Sequence, residues 1–278
     1  MKQMSLTREL VGEVFGTFVL ILLGDGVVAQ VGLAARLASP AYNWNTIVFG
    51  WCFAVIVAVY ISGGVSGAHL NPAVTLALAV KRGFSWGKVI PFWIAQIIGA
   101  FLGALGVYLC YRDGLVSAGM PNVWCTGPGS IFGQAFWGGA ASATATGAYS
   151  LTTAMITEFF GTMVLIWGIL ASGDSKNLGL MHNLGPFLVG GTVLAVGLSL
   201  GGPSGYAINP ARDFGPRLFG TLVGTTGLFS GAYWIMAPII AVLIGGAVAP
   251  FLYDWFVTDA LKSKEAQVSV QEKPAQAD

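Results

Sequence analysis

The ten residues Val65 to Val74 recur 138 positions later as Pro203 to Arg212, and this pairing restricts the chain more than any other feature. Aligned on the Asn, five of the eight positions from Ser66 to Ala73 are identical: Ser, Gly, Asn, Pro and Ala. Each copy sets a small-residue loop before Asn-Pro, then a mostly apolar run, Ala73 to Lys81 and Ala211 to Gly220. Asn is a strong N-cap, and Pro suits the first helical position because the N–H it lacks had no partner there. The spacing therefore predicts short helices over 71–81 and 209–220, each fed by a loop. Ten residues rising ~1.5 Å each cover ~15 Å, half of a ~30 Å hydrocarbon core. Two such half-helices entering from opposite faces meet near the midplane, which is a way to build a pore.

Composition supplies the membrane that this reading needs. Of 278 residues, 55% are hydrophobic and only 9% charged, against ~25% charged in soluble proteins. The net charge of +1 and the lack of a basic patch with interleaved aromatics exclude nucleic acid as a partner. No Gly-rich phosphate loop precedes a Lys-Ser/Thr pair and no Gly-x-Ser-x-Gly elbow follows a strand, so neither an enzyme nor a cofactor is expected. His69 and His182 are the only histidines, and His69 has no second ligand at useful spacing, so no metal is expected either. Cys52, Cys110 and Cys125 read as small hydrophobes rather than a disulfide framework. The first apolar stretch carries Glu13 and Asp25 and outruns a signal peptide, which makes it the first span.

In order, the chain divides into a polar arm (1–9), a first repeat (10–111), a long loop (112–152), a second repeat (153–257) and a charged tail (258–278). Apolar spans are expected at 10–32, 46–62, 89–109, 153–172, 183–200 and 232–255. The loop is rich in Gly, Ala, Ser and Thr, and its Trp124, Phe132, Phe136 and Trp137 suggest packing against the membrane face. The tail lacks apolar periodicity and is expected to be disordered. Glu13 to Ile21 recurs as Glu158 to Ile166, and Gly99 and Gly103 align more weakly with Ala241 and Gly245. Each repeat thus holds three spans and one half-helix. Three spans invert the second repeat relative to the first, which places a site at their interface near the midplane. Nine Lys/Arg fall on one side and four on the other, predicting both termini in the cytoplasm of a multi-pass plasma-membrane protein.

Several residues stand out on chemistry alone. Asn71 and Asn209 can offer side-chain N–H groups where the half-helices meet, and the two helix N-termini put partial positive charge there. Arg212, beside the second half-helix, is costly in a membrane unless it faces a cavity. Gly67, Ala68 and His69, with Gly205, Tyr206 and Ala207, are placed to line a pore with backbone carbonyls, since irregular backbone at this depth needs a cavity beside it. Trp51 and Tyr206 read equally well as belt aromatics or as pore lining. Glu13 and Glu158 are either a proton relay or carboxylates that hold the two loops.

Ser66-Gly67-Ala68-His69-Leu70-Asn71-Pro72-Ala73 and Asn209-Pro210-Ala211-Arg212-Asp213-Phe214-Gly215-Pro216 resemble the twin signatures of the major intrinsic proteins, the aquaporins and glycerol facilitators. The likeness covers about residues 8 to 255. It implies an all-α membrane fold of six transmembrane helices plus two re-entrant half-helices in two inverted repeats. It further implies a homotetramer in the lipid bilayer, each protomer a passive channel for glycerol, other small neutral solutes and water that excludes ions and protons. Asp213 after Asn-Pro-Ala-Arg resembles the glycerol-conducting branch and joins Glu13 and Glu158 as loop support. The family's selectivity filter maps onto Trp51, Gly197, Tyr206 and Arg212. Strict water channels generally carry His at the Gly197 position, so Gly implies a wider opening. Tyr206 departs from the Phe usual in bacterial glycerol facilitators. A water-selective aquaporin is the alternative, and an ion-coupled secondary transporter using Glu13 and Glu158 is a more distant one.

Overall fold

The computed structural model describes residues 4–33, 42–127, 149–178 and 183–271. Arg36, Phe132, Phe136, Trp137 and His182 lie outside them. The described chain is helical: α1 Leu6–Gly32, α2 Trp44–Ser66, α3 Pro72–Lys81, α4 Trp86–Ser117, α5 Leu151–Gly173, α6 Gly185–Leu200 and α7 Pro210–Leu222. The last span runs without a break through α8 Tyr233–Ile235, a π-helical turn Met236–Ala241, α9 Val242–Tyr253, a second π-helical turn Asp254–Thr258 and α10 Asp259–Gln271. Pro238 lies in the first π turn, where its missing N–H relaxes the i→i−4 ladder.

Local capping explains where several elements begin. The Asn43 side chain accepts from Asn45 N while Thr46 accepts from Asn43 N, a capping box at α2. Ser150 caps α5 through Thr153 N. Asn71 and Asn209 cap α3 and α7, each followed by Pro.

Boundaries differ from the expected ones in three places. α4 continues to Ser117, so residues 112–117 belong to the third span rather than to the loop. α6 has only 16 residues, or ~24 Å, because Pro186 marks its start and Gly201-Gly202-Pro203 follows its end. Among the described residues, five helices are long and apolar enough to cross a bilayer, and α6 is a shorter sixth. The tail is the third case. Residues 259–271 are helical, not disordered, because they extend an existing helix and so avoid the cost of nucleation. Asp259 and Lys262 pair across one turn of it.

The packing repeats across a pseudo-twofold. α1 packs on α2 and α4, α5 on α6 and α9, and α2 meets α6 between the repeats. Each half-helix is held by the third span of the opposite repeat, α3 by α9 and α7 by α4. Close approach depends on small residues: a Cβ on Gly99 would lie 2.3 Å from Val14 O, and one on Gly245 2.6 Å from Phe159 O. Val14 and Phe159 occupy the same position in the repeated first span. The structural partner of Gly99 is thus Gly245, one helical turn from the pairing of Gly103 with Gly245 expected above. Small residues spaced four apart make such a slip invisible in the sequence. Outside, Ile90, Ile94, Ile98 and Leu102 form an exposed apolar stripe on α4, the surface that a hydrocarbon solvent covers. The cysteines are free: Cys52 and Cys125 are buried, whereas Cys110 faces outward.

Candidate functional site

The two half-helices meet at their N-termini. Asn71 Oδ1 accepts from Ala73 N at 2.9 Å, and Asn209 Oδ1 accepts from Ala211 N at 3.0 Å and Arg212 N at 3.2 Å. The amide nitrogens then cross over. Asn71 Nδ2 donates to Ile208 O and Asn209 Nδ2 donates to Leu70 O, both at 2.8 Å. A side-chain amide has two N–H bonds, so each Asn ties the opposite loop with one and keeps the second for the cavity that both residues line.

That cavity is about 240 Å³. Val55 and Val59 of α2 and Val189 and Val193 of α6 give it apolar walls, while Gly67, Ala68, His69, Asn71, Tyr206, Ala207 and Asn209 make its polar lining. Trp51 and Arg212 line it as well. Gly205 does not: it lies against the Thr126 side chain.

The loops before each Asn are held in conformations that need support. Ala68 and Leu70 have φ of 50° and 52°, and Tyr206 and Ile208 of 43° and 41°. Residues with a Cβ avoid this left-handed region. Buried carboxylates supply the support. Glu13 accepts from Ser66 Oγ and His69 N through Oε1, and from Leu70 N and Gln96 Nε2 through Oε2. Glu158 accepts from Ala207 N at 2.8 Å and Ile208 N at 2.7 Å. A third carboxylate, Asp213, accepts from Thr126 N and Oγ1 and pairs with Arg217, whose guanidinium also donates to Thr126 O and Leu228 O. This cluster pins Thr126 over α7.

Around Arg212 a ring of unlike groups closes in on the cavity. The Arg212 guanidinium lies 4.1 Å from the Trp51 ring centroid, and its Nη1 donates to Trp124 O at 3.1 Å and to Asp25 Oδ1 at 3.2 Å. Tyr206 stands edge-on to Trp44 at 5.6 Å, with its buried hydroxyl unpartnered. Trp44 Nε1 in turn donates to Gly197 O. Gly197 itself does not line the cavity. A Cβ there would lie 2.8 Å from Tyr206 Cζ and 2.7 Å from Val48 Cγ1. The room that the missing side chain leaves is therefore taken up by the Tyr206 ring, which corrects the expectation that Gly197 simply widens the opening.

Sequence reasoning missed Asp25, Trp44, Trp124 O and Thr126 as parts of this site. Asp25 carried a signal, a charge inside an apolar span that, unlike Glu13, has no counterpart in the second repeat. A backbone carbonyl such as that of Trp124 carries none.

Residues 1–253 match the major intrinsic protein family. The glycerol uptake facilitator protein 3 of Lactiplantibacillus plantarum is 42% identical over 256 residues, 90% of this chain and 97% of that protein. A glycerol uptake facilitator protein of Streptococcus pneumoniae is 38% identical over 252 residues, 90% of this chain and 99% of that one. Among solved structures, the aquaglyceroporin from Plasmodium falciparum superposes with a TM-score of 0.80 at 30% identity, over 93% of this chain and 100% of that chain.

Proposed function

This chain belongs to the major intrinsic protein family, and from that premise we propose that it is a passive channel for glycerol and other small neutral solutes, with water permeability. The observation that carries the reading is a single cavity lined by both capping Asn residues and by the Trp51, Tyr206 and Arg212 ring. The ring is apolar on its aromatic side and donates hydrogen bonds from Arg212, matching a polyol with a CH backbone and an OH edge. Its members are the selectivity filter, with Gly197 seating Tyr206. Asn71 and Asn209 orient the solute at the centre. The carbonyls of Gly67, Ala68, His69, Tyr206 and Ala207 offer acceptors along the path, and Gly205, which lies against Thr126, does not join them. Glu13, Glu158 and Asp213 are loop supports, and for Glu13 and Glu158 the donors engaging both oxygens argue against a proton relay. The protein sits in the plasma membrane with both termini cytoplasmic, a reading supported by the Lys/Arg distribution and the outward apolar stripe on α4, and family membership suggests a homotetramer.

Stopped-flow light scattering on proteoliposomes, comparing water, glycerol and urea, tests this. Glycerol entry well above that of empty vesicles is expected; osmotic shrinkage with no glycerol entry identifies a water-selective channel instead. Transport is also expected to be passive. An imposed proton or sodium gradient should leave glycerol at its equilibrium level, and accumulation above that level identifies a coupled transporter.

A further inference from the structure

Asp25 has no part in the reading above, yet it is in direct contact with Arg212 of the constriction while lying outside the cavity lining. It lies on α1 with no exposed surface. Gly24 beside it has no Cβ, which lets the Trp51 ring lie against the helix. Asp25 Oδ1 accepts from Arg212 Nη1 at 3.2 Å, while Oδ2 has no hydrogen-bond partner. The other formal charges nearby, Asp213 and Arg217, are paired with each other.

The bare oxygen is informative. Where carboxylates brace this fold, both oxygens are used, as in Glu13 and Glu158. One bond from a guanidinium could be accepted equally well by an amide oxygen, and burying an ionised carboxylate is costly. What the carboxylate adds over an amide here is its charge.

We infer that Asp25 is the counter-ion of Arg212, a positioning residue that makes the constriction electrically neutral. The inference rests on reading Trp51, Tyr206 and Arg212 as the constriction. Ion exclusion then comes from the loss of hydration in a narrow path and from the half-helix termini, not from a net positive charge on the ring. The two charges should fail in opposite directions. Removing Arg212 leaves a buried negative charge that admits cations. Removing the Asp25 charge leaves a positive one that admits small anions. Removing both restores neutrality.

The test uses proteoliposomes of wild type, Asp25→Asn, Arg212→Val and the double variant, with potassium, nitrate and glycerol fluxes read in the same vesicles. Asp25→Asn is expected to raise nitrate flux at least ~10-fold, equivalent to ~1.4 kcal/mol, with potassium unchanged. Arg212→Val should raise potassium flux by a similar ~10-fold factor and not nitrate, and the double variant should bring both back to within ~3-fold of wild type. Equal potassium leaks in Arg212→Val and the double variant overturn the inference, as does nitrate flux in Asp25→Asn at the wild-type level. Should Asp25→Asn not assemble, Asp25→Glu keeps the charge while displacing the guanidinium. No nitrate leak is expected from it, and a leak would show bracing rather than charge. Wild-type vesicles that fail to take up glycerol count against the channel reading alone, because the ion arms compare variants with one another.

Discussion

Glu158→Ala is expected to abolish glycerol entry rather than tune it. The Glu158 carboxylate is fully buried on α5 and accepts from two adjacent backbone amides, Ala207 N and Ile208 N, and from the Ser204 side chain. Bonds to a charged group contribute ~1.5–3 kcal/mol each. The loop they hold is under tension, since Tyr206 and Ile208 have φ of 43° and 41°, a conformation costing roughly 1–2 kcal/mol per side-chain-bearing residue. Truncation leaves two N–H groups unsatisfied beside a strained segment that carries a filter residue and leads into the Asn209 cap. A destabilisation on the order of 3–6 kcal/mol follows, with glycerol entry down by more than ~10-fold, at least ~1.4 kcal/mol of barrier. Thermal unfolding in detergent and light scattering in proteoliposomes measure the two effects. Glu158→Gln retains one carboxamide oxygen and should fall between. A Glu158→Ala protein as stable and as permeable as wild type would remove Glu158 from the loop's supports.

The contrast between Glu158 and Asp25 shows how much the sequence could disclose. Glu158 was legible because it recurs with Glu13 at the head of a repeated segment, and symmetry gives a role even before any bond is seen. The Asn-Pro pairs were legible because capping is local chemistry, decided within three residues. Asp25 occurs once, and its partner Arg212 is 187 positions away. A charge in a span with no counterpart in the other repeat announces a cost without naming what offsets it. The register of the third spans was lost for a different reason. Gly and Ala spaced by one turn fit several alignments, and only the backbone contacts at Val14 O and Phe159 O choose between them. The tail helix escaped because helices that extend an existing one need no apolar stripe of their own.

Gly197 is the position where the structure most changes what should be measured. The family resemblance suggested that His there would occupy an open space. The geometry says that even one carbon atom is too many. A Cβ on Gly197 meets Val48 Cγ1 at 2.7 Å and Tyr206 Cζ at 2.8 Å. Val48 is fully buried within the core and has nowhere to go. Tyr206 has an unpartnered hydroxyl and lines the cavity, so its ring is the part that yields. Moved away from Gly197, the ring advances into the opening shared with Trp51 and Arg212. Gly197→Ala is therefore expected to cut glycerol permeability at least ~10-fold, an added barrier of ~1.4 kcal/mol, and Gly197→His ~100-fold or more. Water, being smaller, should continue to pass, so the glycerol-to-water ratio is the quantity to follow by stopped-flow light scattering. Tyr206→Phe alone should change that ratio less than ~3-fold, under ~0.7 kcal/mol, because the hydroxyl binds nothing in the protein. Tyr206→Leu placed on top of Gly197→Ala removes the displaced ring and should recover most of the lost glycerol flow. If Gly197→Ala leaves the ratio unchanged in a correctly assembled protein, the Tyr206 ring is not the wall that sets the aperture, and the filter must be sought elsewhere along the cavity.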